Sequence, residues 1–124
     1  GPYALQAALA ACHARARDAG ATDWAQIVAL YDALAQVAPS PVVELNRAVA
    51  VGMAFGPAAG LEIVDALATN PTLANYHWLP SVRGDLLEKL GRHEEAMAEF
   101  ARAATMTHNE PERALLLDRA RGRS

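Results

Sequence analysis

The chain has 124 residues, of which 52% are apolar, 6% are aromatic and 29 are alanine. That is the size of one domain, and its composition favours helices packed closely through small side chains over strand-rich folds. With 14 acidic and 11 basic residues the net charge is −3. No basic field exists to neutralise phosphates, and direct nucleic-acid contact is not expected.

The first periodic segment runs from Tyr3 to about Ala19, with Leu5, Leu9, Cys12, His13 and Ala16 at helical spacing, and Gly20 stops it. Gln6, His13, Arg15, Arg17 and Asp18 fall where the apolar core of a signal peptide would be required. The start Gly1-Pro2, with no initiator Met, suggests a piece of a longer chain. A second helix opens at Asp23 with Gln26 three residues on, a capping-box arrangement, and carries Trp24, Ile27, Leu30, Tyr31, Leu34 and Val37 before Pro39. Ser40-Pro41 restarts the chain, and Leu45, Ala48, Val49 and Gly52 form the packed stripe of a third helix ending near Gly56.

A fourth helix covers roughly Ala58 to Ala68, broken by Asn70-Pro71. The fifth passes through Leu86, Leu87 and Leu90 to Gly91, with a start blurred by Pro80. The sixth, from His93 to about Met106, places Ala96, Phe100 and Ala103 on one face and Glu94, Glu95, Glu99 and Arg102 outward. The last begins at Asn109, with Glu112 three residues later, and presents Leu115, Leu116 and Leu117. Arg113, Arg119, Arg121 and Arg123 cluster near the C-terminus and read as a solvated helix end. Seven helices and no strand are predicted. A lone Cys12 excludes an internal disulfide, no stretch approaches the roughly 20 apolar residues of a membrane span, and a cytoplasmic location is expected.

The separating glycines Gly20, Gly56 and Gly91 lie 36 and 35 residues apart, near the roughly 34-residue period of tetratricopeptide (TPR) arrays. The segment GDLLEKLGRHEEAMAEFARA resembles the TPR pattern, with Gly84 and Ala96 as small contact residues, Leu87 as the large one, Gly91 at the turn, then Phe100 and Ala103. The expected fold is all-α, with three degenerate TPR-like hairpins and a C-terminal capping helix. His13 and Val49 stand where the third hairpin has Gly84, so the first two hairpins are expected to pack less regularly.

Catalysis finds little support in these residues. Cys12 and His13 are adjacent and diverge by about 100° on a helix, so they cannot pair with each other. His13, His77, His93 and His108 lack metal-ligand spacing, and neither a phosphate loop nor a nucleophile elbow occurs. No catalytic, cofactor-binding or metal residue is assigned, and no cofactor is expected.

TPR hairpins stack so that their first helices line a concave face. Counting back from the turn glycines places Arg17, Val43, Asn46, Arg47, Ala50, Met53, Trp78, Ser81, Asp85 and Glu88 on or near that face. Arg47 either offers its planar fork to a partner carboxylate or pairs internally with Glu44 or Asp85. Tyr76, His77 and Trp78 either contact a partner or cover the seam between the second and third hairpins. The candidate partner-binding residues are Asn46, Arg47, Tyr76, His77, Trp78 and Asp85.

The segments ALQAALAACHA, TDWAQIVALYDAL, APSPVVELNRAVAV, GPAAGL and YHWLPSVRGDLLEKLGR together resemble the C-terminal extension of a group of extracytoplasmic-function RNA polymerase sigma factors, over nearly all of Tyr3 to Arg113. The resemblance implies a regulatory contact module, required for sigma activity, whose partners are the sigma core regions in the same chain or RNA polymerase. The alternative is a sensory domain that holds a peptide or small ligand in its concave groove.

Overall fold

The computed structural model describes residue 2, residues 4–9 and residues 23–122. Residues 4–9 are helical. Six helices follow among the described residues: α1 (Trp24–Val37), α2 (Pro41–Phe55), α3 (Pro57–Leu67), α4 (Trp78–Lys89), α5 (His93–Met106) and α6 (Glu110–Ala120), with a 3-10 turn at Pro71–Leu73. No described residue lies in a strand, and no helix is long and apolar enough to cross a membrane. The Gly20 turn and the Cys12-His13 pair lie outside the described residues.

Short polar side chains start α1, α2 and α6. Asp23 Oδ1 accepts from the Gln26 amide at 3.1 Å, and Ser40 Oγ accepts from the Val42 and Val43 amides at 3.1 and 3.4 Å. Asn109 Oδ1 accepts from the Glu112 amide at 2.9 Å. Each satisfies amides that the first helical turn leaves without partners. Pro80 does not delay α4, because it falls in the first turn, where a missing N–H costs no intrahelical bond.

The helix stops are equally local. Gly91 adopts φ +80°, and the chain reverses as the Arg92 amide reaches the Leu87 carbonyl at 2.9 Å and the Gly91 amide the Glu88 carbonyl at 3.0 Å. That is the Schellman arrangement, which needs a left-handed residue at this position. Gly56, at φ +108°, separates α2 from α3 without that bond pair, since Pro57 has no N–H to donate, in a backbone conformation that favours glycine.

Each helix packs on the next, and α2 also touches α4, so α2, α4 and α6 lie side by side while α3 and α5 form the layer behind. Two apolar cores result. One joins Leu9, Ile27, Val28 and Leu34 to Ala50 and Val51 of α2. The larger one joins Leu45 and Ala48 of α2 to Val64, Leu86, Leu87, Ala103 and Leu116 around Phe100, which is fully buried. Helix α2 is therefore buried on two faces, against the hairpin before it and the hairpin after it.

Close backbone approach fixes both complete hairpins. A Cβ on Gly84 would lie 2.7 Å from Phe100 Cε1. Ala96 is buried in the same core, and Phe100 fills the space opposite the glycine. In the α2–α3 hairpin the close approach is displaced from Val49 to Gly52 and Gly60. A Cβ on Gly60 would lie 2.8 Å from the Ala48 carbonyl oxygen and 3.1 Å from Gly52 Cα. This hairpin departs from the repeat pattern in register while keeping the tight crossing.

Two outward assignments need correction. Glu99 is buried, because Arg102 (2.9 Å) and Arg83 (3.6 Å) hold it where α4 and α5 meet. Arg113 and Arg119 are not loose helix-end charges. Arg113 donates to the Thr107 carbonyl at 2.8 Å, and the Arg119 guanidinium lies 4.0 Å from the centre of the Phe100 ring. Arg121, near Asp118, is exposed as expected, and Arg123 lies outside the described residues.

Gly84→Leu is expected to destabilise the domain by about 1 to 3 kcal/mol through overpacking against Phe100, and Gly60→Ala by a similar amount because backbone atoms have nowhere to retreat. Thermal melts of both variants check this. An unchanged midpoint for either one contradicts the corresponding close crossing.

Candidate functional site

Between α2, α4 and α6 runs a groove enclosing about 330 Å³. Its floor is apolar: Val49 and Gly52 from α2, Val82 and Leu86 from α4, and Leu116 from α6. Three large apolar side chains stand at its edges with much of their surface in solvent: Met53 at 47% exposure, Trp78 at 40% and Leu115 at 60%. The rest of the wall is polar, from His77, Ser81, Asp85, Lys89, Glu112 and Arg119.

The polar residues are tied to one another. His77 Nε2 pairs with Glu112 at one end of the groove. At the other end Asp85 accepts from Arg119 at 3.0 Å and pairs with Lys89 at 3.1 Å, and Glu88 lies 3.6 Å from Arg119. Burial pushes the Asp85 carboxyl up, but the hydrogen bonds and charges of Arg119 and Lys89 outweigh it and hold the group below its ordinary value. The Lys89 ammonium also approaches Met53 Sδ at 3.6 Å. Ser81 Oγ donates to the His77 carbonyl at 2.8 Å, within its own helix.

Of the residues singled out from the sequence, His77, Trp78 and Asp85 line this groove together, with Met53 and Ser81 from the wider concave set. Glu88 sits at the rim against Arg119. Tyr76 packs on the larger core and meets His77 edge-on, with ring centroids 6.1 Å apart. Asn46 is half-buried one turn before Val49 and is not among the lining residues. Arg47 is elsewhere: its guanidinium meets Glu44 at 3.1 and 3.3 Å and Asp32 of α1 at 3.3 Å, beside a more open depression bordered by α3. Of the two internal partners weighed for Arg47, Glu44 is present and Asp85 is not. Val43 and Ala50 belong with the first core, and Arg17 lies outside the described residues.

The reason lies in α2. With two faces buried, only the stripe through Val49, Gly52 and Met53 reaches the groove, and Arg47 is turned toward α1. Counting back from Gly56 as from Gly91 misses this rotation. Lys89, Glu112, Leu115 and Arg119 escaped the sequence reading, although a signal existed: contacts across the groove join residues one repeat apart, as Met53 to Lys89 (36 residues) and Asp85 to Arg119 (34 residues).

No family model matches the chain, and no solved structure matches it. A protein of Rhizobium meliloti (strain 1021), described as uncharacterized, is 47% identical over 116 residues. That alignment covers 94% of this chain and 27% of the relative, so the chain spans about a quarter of the relative's length. The shared stretch thus includes almost all the residues that build the groove.

Arg119→Met is expected to cost about 1 to 2 kcal/mol at pH 7, from the lost ring contact and charged hydrogen bond. Because Asp85 titrates below its ordinary value in the folded chain, its contribution is present above the ordinary carboxylate range and lost as pH falls through the depressed value. The cost of Arg119→Met should therefore shrink in acid. Urea denaturation at pH 7 and at about pH 3 reads this, and an equal cost at both would show that packing on Phe100 carries the whole effect.

Proposed function

We propose that this chain is a non-catalytic contact domain of a longer, sigma-factor-type chain, and that its groove docks a segment of that same parent chain to control transcription initiation. The observation that carries the reading is the groove itself. It has an apolar floor, with Met53, Trp78 and Leu115 presented to solvent at its edges. Large amphipathic and flexible apolar side chains around a concave apolar floor are the usual makings of a protein contact.

A parent-chain occupant is supported by the length of the relative, which extends far beyond the stretch it shares with this chain. The resemblance of segments such as YHWLPSVRGDLLEKLGR to sigma-factor extensions supports the same assignment. The groove's chemistry favours binding over reaction. Its carboxylates are held by Arg119, Lys89 and the His77 ring, and its one serine hydroxyl is engaged with the His77 carbonyl. The net charge of −3 favours a protein partner over nucleic acid.

A second reading has one observation in its favour. A volume near 330 Å³ falls in the range of small-molecule pockets, so the groove would suit a sensory domain that responds to a small apolar ligand.

The test uses the full-length parent with core RNA polymerase and a cognate promoter in vitro. Met53→Asp together with Leu115→Asp is expected to change promoter-specific transcription at least severalfold with the melting temperature unchanged, since both side chains are largely exposed. Arg47→Ala is expected to lower the melting temperature, costing about 1 kcal/mol, and to leave transcription near the parent level. Unchanged transcription in the groove variant would reject the docking reading. Transcription that responds to an added small ligand only when the groove is intact would favour the sensory one.

A further inference from the structure

Resting on the docking reading above, we infer that Met53 is an oxidation site that controls the groove. A peroxide converts its thioether to the sulfoxide with help from Lys89, and the modified edge no longer holds the docked apolar segment.

The chain has three methionines, and their surroundings differ. Met97 and Met106 are half-buried on α5, whereas Met53 stands at the groove edge with 47% of its surface in solvent. A thioether is oxidised where a peroxide can reach its sulfur, so exposure singles out Met53. Its sulfur also has a cation beside it: the Lys89 ammonium lies 3.6 Å from Met53 Sδ and joins α2 to α4 at one end of the groove. Asp85 holds that ammonium in place at 3.1 Å.

In the reaction a sulfur lone pair attacks one oxygen of hydrogen peroxide, and the S–O bond forms as the O–O bond breaks. The departing hydroxide takes the proton of the transferred oxygen and leaves as water. Sulfur loses two electrons and the peroxide gains them. Negative charge builds on oxygen as the O–O bond breaks, and an ammonium within reach stabilises it. A thioether sulfur has two lone pairs, so the one that Lys89 faces leaves the other open to reaction. An ammonium also has three N–H groups, and Lys89 can donate to the new sulfoxide oxygen without releasing Asp85. The oxidised domain therefore keeps its fold and its polar wall. Its groove edge changes from a flexible apolar side chain to a polar one, and an apolar segment that covers it must strip water from the sulfoxide. A docked segment shields the sulfur, so oxidation takes the open form and holds the equilibrium there until a methionine sulfoxide reductase restores the thioether.

Dilute hydrogen peroxide on the 124-residue chain, followed by proteolysis and mass spectrometry, reads the rate at each methionine. Met53 is expected to oxidise at least fivefold faster than Met97 or Met106. Lys89→Met should slow Met53 at least threefold and leave the other two unchanged, and Lys89→Arg should keep most of the rate. In the proposed longer chain, a photo-crosslinker at position 115 reads docking. Peroxide should lower the crosslinks to the docked segment at least fivefold, and methionine sulfoxide reductases should restore them. Met53→Leu, apolar and inert to peroxide, should keep them throughout. Three results overturn the inference and leave the docking reading standing: a rate at Met53 no higher than at the other methionines, no effect of Lys89→Met, or crosslinks that survive full oxidation of Met53. An equal loss of crosslinks in Met53→Leu does the same. Absence of crosslinks before any peroxide is added rejects the docking reading, and the inference with it.

Discussion

Gly60 has no room for a methyl group, and neither has Gly84. At the first the obstacle is backbone of α2, with the Ala48 carbonyl oxygen 2.8 Å from where a Cβ would sit; at the second it is the Phe100 ring, 2.7 Å away. Helices approach this closely only where one lacks a side chain, and the approach fixes how each hairpin is folded. Because α3 and α5 are drawn in so tightly, α2 and α4 are held side by side in front of them, with Gly52 beneath Leu86. The groove is the space left over in front of that layer. Its depth depends on the same missing side chains that hold the hairpins shut.

Polar contacts then close the third wall. Helix α6 has one buried large side chain, Leu116, with Leu117 and Ala120 packed against the same core, and its polar anchors are Arg119 on Phe100 and Asp85 and the pairing of Glu112 with His77. An arginine stem packed over an aromatic face contributes as an apolar group while its charged head satisfies a carboxylate. The two anchors lie at opposite ends of the groove and hold α6 level with α4. The apolar surface between the three helices is edged by Met53, Trp78 and Leu115.

Much of this was legible in the sequence, for reasons particular to certain residues. Asp23, Ser40 and Asn109 announce helix starts because their short side chains reach amides two or three residues on, a purely local geometry. Gly56 and Gly91 announce stops because a left-handed residue is needed there. The groove was only half legible. Trp78, Ser81 and Asp85 were found by counting from Gly91, where the hairpin keeps the repeat register. The same count from Gly56 selected Arg47, because it cannot register that α2 is shared between two cores and turned toward α1. Arg119 looked like a loose end because nothing within its own helix reveals that a ring one hairpin earlier lies beneath it.

The groove between α2, α4 and α6 is proposed to hold a polypeptide segment in the working protein. A photo-crosslinking amino acid at position 115, placed in the proposed longer chain and activated before proteolysis and mass spectrometry, reads this. Crosslinks are expected to one short segment of that longer chain outside this domain, and are lost when Met53 is replaced by Asp. A probe at position 62, on the far side of the domain, should give none to that segment. Crosslinks from position 115 to solvent only, or the same pattern from both positions, would contradict it.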